Sequence, residues 1–110
     1  MIEVIHNAAA ERYEIHVDGE FAGLTEAHPL DDRPPLDGSS VPAGGAPTVL
    51  FPHTIIEPAF EGQGLASKLV AGALDDIRAR GLRVHVTCPY ILGWLPKHPE
   101  YHDLLAPDRP

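Results

Sequence analysis

Gly62 and Gly64 stand just ahead of a run in which Leu65, Leu69, Ala73 and Ile77 recur every fourth residue, with Val70 and Leu74 widening the apolar stripe. That spacing predicts a helix with one buried face. An extended apolar run, Thr48 to Ile56, precedes the glycines, so the order is strand, glycine turn, helix N-terminus. The first N–H groups of a helix have no partner within it, and the helix dipole adds partial positive charge there. Glycines let a ligand approach the main chain, so such a turn can hold a phosphate. The same turn also reads as plain helix-capping geometry. Lys68, in the first helical turn, either reaches that phosphate or stays solvated on the helix face. Cys88, at the end of a predicted strand, is either a small buried hydrophobe or a reactive thiol. His53 is either a hydrogen-bonded structural histidine or a base working near neutral pH.

The P-loop pattern needs Lys and then Ser or Thr after its last glycine, where this chain has Leu65-Ala66. The dinucleotide fingerprint needs a third spaced glycine, and that position is not met. The remaining pattern is Gln/Arg-x-x-Gly-x-Gly/Ala of the GNAT acyltransferases. Gly64 and Ala66 match its last two positions, while Glu61 stands where Gln or Arg is usual. Three further segments follow the family in order: Pro52-His53-Thr54-Ile55-Ile56-Glu57-Pro58, Val86-Thr87-Cys88-Pro89-Tyr90, and His98-Pro99-Glu100-Tyr101-His102-Asp103-Leu104. Together they resemble the small, single-domain GNAT-like N-acetyltransferases. The likeness covers Thr48 to Leu105 well and Met1 to Thr25 loosely.

That resemblance implies an α/β fold of the α+β type. It has a mixed, mainly antiparallel twisted sheet with a central splay, one long cofactor-binding helix and a short C-terminal helix. It also implies acetyl transfer from acetyl-CoA to a primary amine. The pyrophosphate of coenzyme A would lie on the backbone of Gly62, Gln63, Gly64, Leu65 and Ala66, with Lys68 in reach. The pantetheine arm would enter a gap beside Ile55 and Ile56, opened by Pro52, which deletes one inter-strand hydrogen bond. Glu61 would repel the phosphates from inside and is expected to point to solvent.

Acyl transfer to an amine needs a neutral amine, a polarised thioester carbonyl and a proton for the leaving thiolate. Cys88 matches the family's proposed active-site cysteine, either as an acid or as a covalent acyl carrier. Many histone-directed relatives carry a Glu on the central strand. Here Val49, Leu50 and Phe51 offer no carboxylate, and Glu57 lies too far along. His53 is therefore the second catalytic candidate; strict alternation puts it on one face with Val49, Phe51, Ile55 and Glu57, unless Pro52 shifts the register. The rival readings are a non-catalytic CoA-binding or protein-interaction module with the same fold, or thiol chemistry at Cys88 in a redox or acyl-carrier role. No metal is expected: Pro99 interrupts His98-x-x-x-His102, and no cysteine stands nearby. Trp94, Tyr90 and Tyr101 are expected to pack the last helix against the sheet.

These residues need a frame. Ile2 to His6 reads as a strand, and Ala8 to Ala10 as a turn of helix. Tyr13, Ile15 and Val17 alternate with polar residues up to Asp18-Gly19, and Glu20 to Thr25 continues extended, which is a hairpin signal. Glu26 to Pro47, rich in proline, glycine and aspartate, reads as a surface loop, either a neutral insertion or a substrate lid. The helix runs from Gln63 or Gly64 to Arg80, closed by Gly81. A strand over 83–87 ends at Pro89, a short helix from Tyr90 to Leu95 stops at Pro96, Asp103 to Leu105 reads as a last turn, and 106–110 is a frayed tail.

A chain of 110 residues allows one domain spanning 1–110, and its 44% hydrophobic content is ordinary for a globular protein. No run approaches the roughly 18 apolar residues a membrane span needs. The first residues lack a basic and then apolar signal pattern. One cysteine leaves no intrachain disulfide and fits a reducing, cytoplasmic setting. Sixteen acidic against eight basic residues disfavour nucleic acid and suit a cationic acceptor, a small amine or a Lys side chain. The expected assembly is a monomer or homodimer, with no membrane partner.

Overall fold

The computed structural model describes residues 1–29 and 48–105. Most of the Pro/Gly/Asp-rich loop expected at 26–47, and the tail expected at 106–110, lie outside the described residues. Strand β1 (Ile2–Asn7) pairs antiparallel with β2 (Arg12–Val17), matching Val4 to Ile15 and His6 to Tyr13. The link between them is a single 3-10 turn, Ala8–Ala10, as the three alanines suggest. β2 turns into β3 (Glu20–Glu26) through Asp18 and Gly19, both at positive φ (51° and 83°), the conformation a two-residue hairpin turn demands.

Strand β4 (His28–Pro29) follows directly, so the segment expected to be loop from Glu26 onward starts as strand. The cause is pairing: His28 matches Leu50 and Pro29 matches Val49 on β5 (Thr48–Phe51). A proline at such an edge costs no ladder bond that the strand needs.

The expected central strand is split. β5 ends at Phe51, Pro52 and His53 intervene, and β6 (Thr54–Ile56) resumes in a different sheet. One sheet has the order β1-β2-β3-β6. The other has the order β4-β5-β7, in which β7 (Arg83–Val86) runs parallel to β5. The other pairings between these strands are antiparallel, as the family's mixed sheet requires, and an isolated bridge from Val84 to Leu105 is parallel. The connection from β6 to β7 is helix α1 (Leu65–Ala79), a crossover of the kind parallel pairing needs.

α1 buries Leu65, Leu69, Val70, Ala73, Leu74 and Ile77, the stripe read from the sequence. It ends in a Schellman cap. Leu82 N–H bonds Ile77 O at 3.0 Å, Gly81 N–H bonds Arg78 O at 3.1 Å, and Gly81 sits at φ 71°. The core joins this face to Tyr13, Ile15, Phe51, Val84 and Ile91, all at most 2% exposed. Helix α2 (Pro89–Trp94) begins with proline in its first turn, where a missing N–H costs nothing. Pro96 does not stop the chain's helical path as expected. It lies within a following 3-10 turn, Leu95–Lys97, because a first-turn proline is as well suited to that turn as to α2. A further 3-10 segment, Pro99–Leu104, extends the expected last turn toward its N-terminus.

Candidate functional site

The site begins where β5 and β7 part. Their pairing stops at Phe51 and Val86, and Phe51 O closes it by accepting from both Thr87 N–H (3.2 Å) and Cys88 N–H (3.0 Å). Pro52 has no N–H to continue the ladder. Beyond it, β6 turns to β3, pairing Ile56 with Gly23, Ile55 with Leu24 and Thr54 with Thr25. Glu26 N–H bonds His53 O at 2.9 Å, and Glu57 N–H bonds Ala22 O at 2.8 Å. Residues 53 and 57 thus turn their peptide groups to β3. By the two-residue period 55 does likewise, and Thr54 and Ile56 present theirs at the edge of the sheet, which no strand pairs among the described residues.

Next to that edge is a cavity of about 310 Å³. Its walls are Ile56, Phe60, the turn residues Glu61, Gly62 and Gly64, the first helical residues Leu65, Ala66 and Ser67, and Tyr90. A 3-10 turn, Pro58–Phe60, carries the chain from β6 to the glycines. Gly62 (φ 83°) and Gly64 (φ 72°) both adopt the left-handed conformation, and a Cβ at either would meet nothing within 4 Å. Glycine is required there for backbone shape, and the space above the turn is open. Gly64 is the N-cap of α1 and no side chain caps the helix, so its first amides face that space. Ser67 anchors the turn to α2: its Oγ accepts from Trp94 Nε1–H at 2.9 Å. Trp94 in turn stacks on His98 at 3.6 Å and leans on Tyr101 at 5.5 Å.

Cys88 is buried at the N-cap of α2, and its Sγ–H donates to Thr54 Oγ1 across the gap at 3.4 Å. Thr54 Oγ1 lies 2.8 Å from Thr25 Oγ1, and Thr25 O–H donates to His53 O at 3.3 Å. Tyr90, at the cavity wall, has its phenol pushed above its ordinary value, first of all by partial burial.

Of the residues singled out from the sequence, Ile56, Gly62, Gly64, Leu65 and Ala66 come together in this cavity. Gln63 and Lys68 are exposed and outside its walls, and Glu61 is exposed at its rim. Ile55 is exposed and pairs with Leu24, away from the cavity walls. The His53 ring is exposed, with no hydrogen bond or ion pair among the described residues. Pro52 has shifted the register. Val49 and Phe51 are buried, but past the proline Thr54 and Ile56 point inward, and His53, Ile55 and Glu57 are exposed. Trp94 and Tyr101 pack as expected, whereas Tyr90 is 41% exposed at the cavity. His98 Nδ1 and His102 Nε2 are engaged by the carbonyls of Trp94 and Leu95. Thr25, Thr54 and Ser67 were not foreseen. The signal for Thr54 was the His-Thr pair itself, of which only His53 was taken up.

Comparison with known proteins agrees with this architecture. Residues 39–104, more than half of the chain, match the family model described as GCN5-related N-acetyl-transferase. Protein NATD1 of Xenopus tropicalis is 35% identical over 65 residues, 57% of this chain and 60% of the relative. Protein NATD1 of Bos taurus is 39% identical over 57 residues, half of each chain. The chain thus spans about half to three-fifths of the curated relatives it matches. Among solved structures, the ribosomal-protein-alanine N-acetyltransferase from Brucella melitensis biovar Abortus 2308 superposes with a TM-score of 0.55 at 18% identity, covering 89% of this chain and 62% of that one. A Trypanosoma brucei acetyltransferase gives a TM-score of 0.50 at 17% identity, covering 94% and 68%. At such identities the likeness is one of fold.

Proposed function

The chain belongs to the GCN5-related N-acetyltransferase family, and from that premise we propose that it binds acetyl-CoA and transfers the acetyl group to a primary amine. The observation that carries the reading is the cavity between the edge of β6 and the uncapped glycine start of α1. The residues present fit the donor. The open glycine turn suits a pyrophosphate, which the N–H groups of Gly64, Leu65 and Ala66 would hold, with Gly62 and Gln63 shaping the turn and mobile Lys68 adding charge. The edge peptide groups of Thr54 and Ile56 suit the amides of a pantetheine arm, and Ile56, Phe60 and Tyr90 its apolar stretches.

When bound, the thioester supplies the activated acetyl group; the protein must manage protons. Cys88 sits at the gap as the group to meet the leaving sulfur. His53, exposed beside Thr54 and with a ring that has no partner among the described residues, takes the proton of an incoming ammonium. The acceptor is a cationic amine, a small polyamine-like molecule or a Lys side chain, drawn by the formal charge of −8. The chain acts as one acetyltransferase domain, in the cytoplasm, without nucleic acid. Among the described residues no helix is long and apolar enough to cross a membrane.

The test is an amine panel of polyamine, aminoglycoside and Lys-containing peptide, incubated with acetyl-CoA and read by mass of the acetylated product. The reading predicts protein-dependent acetylation of at least one amine, and for Cys88→Ala a lower kcat with KM for acetyl-CoA unchanged. Acetyl-CoA binding without any product would reduce the protein to a CoA-binding module.

A further inference from the structure

We propose that Thr54 and Thr25 form a reversible hydroxyl chain that makes Cys88 a proton donor to the leaving thiolate and not an acyl carrier. The inference rests on the acetyltransfer reading above and deepens it. Three observations converge. Cys88, Thr54 and Thr25 are linked side chain to side chain across the gap where the strands part. The chain ends on a peptide carbonyl, His53 O. And the cavity wall begins two residues beyond the linked pair on either side of the gap, at Ile56 and at Tyr90.

The carbonyl end sets the direction of every bond. A carbonyl oxygen only accepts, so Thr25 O–H, at 3.3 Å, donates to it. Thr25 Oγ1 is then free to accept, and Thr54 O–H at 2.8 Å donates to it. Thr54 Oγ1 is left with lone pairs toward Cys88, which must come protonated and donate at 3.4 Å. At rest the arrangement therefore selects the thiol. A resting nucleophile would need a donor aimed at the sulfur, and here the nearest hydroxyl aims its proton elsewhere.

The chain also reverses without stranding a group. When Cys88 gives up its proton, Thr54 O–H can rotate toward the new thiolate and Thr25 O–H toward Thr54 Oγ1. His53 O then loses one partner but keeps the Glu26 N–H at 2.9 Å. Two hydroxyl rotations convert a site built for S–H into one built for S⁻. In the reaction the Cys88 S–H bond breaks and an S–H bond forms on the departing thiolate, with the electron pair left on Cys88 Sγ. The nitrogen that has attacked the thioester sheds its surplus proton, which returns to Cys88, so atoms and charge balance with no oxidant or reductant. Thr54 and Thr25 are positioning residues in this scheme, since they act through the sulfur.

The two threonines must then act in opposite directions, which a purely structural role would not produce. Thr54→Val removes the hydroxyl that receives the thiolate. Thr25→Val removes the acceptor that turns that hydroxyl away, and frees it to donate to sulfur. Both replacements keep the shape of the side chain. The experiment follows thiolate ultraviolet absorbance against pH in the protein without added ligand, using Cys88→Ala as the blank. Thr54→Val should move the appearance of thiolate to higher pH and Thr25→Val to lower pH, each by about one unit, the tenfold effect of one charge-assisted hydrogen bond. Thr54→Ser should restore the parent profile. Shifts in the same direction, or none in folded variants, would overturn the chain.

A second arm tests the role. Incubation with acetyl-CoA and no amine, followed by acid quench and peptide mass analysis, should find Cys88 unmodified; an acetylated Cys88 peptide would overturn the donor assignment. Neither arm depends on turnover. A protein that fails the amine panel but shows the opposed shifts loses the acetyltransfer reading and keeps the hydroxyl chain.

Discussion

Gly23→Ala offers the sharpest perturbation of the frame that holds the site. Gly23 pairs with Ile56 at the β3–β6 boundary, and a Cβ built there would lie 2.6 Å from Ile55 O and 2.6 Å from Ile56 Cδ1. The isoleucine tip can rotate away. The carbonyl cannot, because it belongs to the strand backbone. Restoring ordinary contact at about 3.5 Å requires the two strands to separate locally by about 0.9 Å. Overpacking of this kind costs about 1–3 kcal/mol. For a domain near this size each kcal/mol lowers Tm by about 4–8 °C, so the variant should melt roughly 4–24 °C below the parent. Ile56 lines the cavity, so acetyl-CoA affinity should fall in the same variant at a temperature where it is folded. Scanning calorimetry and isothermal titration give both readings. Gly93→Ala is the control: nothing lies within 4 Å of its Cβ on α2, and alanine there should raise stability by about 0.5–1 kcal/mol. A Gly23→Ala protein with parental Tm and parental affinity would refute the strand-contact reasoning.

Two further outcomes follow from the packing and charge of the sheet. Gly72 lets α1 approach β1, since a Cβ would lie 2.9 Å from Val4 Cγ2. Gly72→Ala should cost about 1–3 kcal/mol in chemical denaturation, and Val4→Ala in the same chain should recover part of that loss instead of adding to it. Glu14 is almost fully buried and its carboxylate is held by His16 Nε2, Asn7 Nδ2 and Arg12 Nε–H at 2.7–3.0 Å. These bonds, His16 first, lower its pKa from 4.5 to about 2. A lowered folded-state pKa means that the unfolded chain takes the proton first as pH falls. The stabilisation is therefore whole above pH 4.5 and drains away between 4.5 and about 2. At neutral pH Glu14→Gln should be less stable than the parent by about 1–3 kcal/mol, and across that window its stability should fall less steeply. A Glu14→Gln variant as steeply acid-sensitive as the parent would sink the assignment.

What the sequence made legible was whatever depends on local period. The α1 stripe, the Asp18-Gly19 turn and the Gly81 cap are each decided within a few residues, and each stands where the spacing puts it. The splay was legible too, because Pro52 removes a donor wherever it sits. Its consequence for side chains was left open. Alternation carried through Pro52 assigns His53 to the inner face, but two residues of irregular backbone reset the period, and Thr54 takes the inward place. β4 was hidden for a related reason: two residues, one of them proline, become strand only because β5 lies beside them. The link from Cys88 to Thr54 and Thr25 joins residues 34 and 29 positions apart, and no local rule reaches that far.

The central claim is that the cavity between β6 and the glycine start of α1 holds acetyl-CoA. Isothermal titration of the parent protein with acetyl-CoA, with NAD as the comparison, addresses it directly, and Gly64→Val reports on the turn. The account predicts saturable binding of acetyl-CoA, no binding of NAD, and loss of acetyl-CoA binding in folded Gly64→Val, whose valine resists the φ of 72° that aims the first helical amides. Absence of acetyl-CoA binding by the parent, or undiminished binding by folded Gly64→Val, would contradict it.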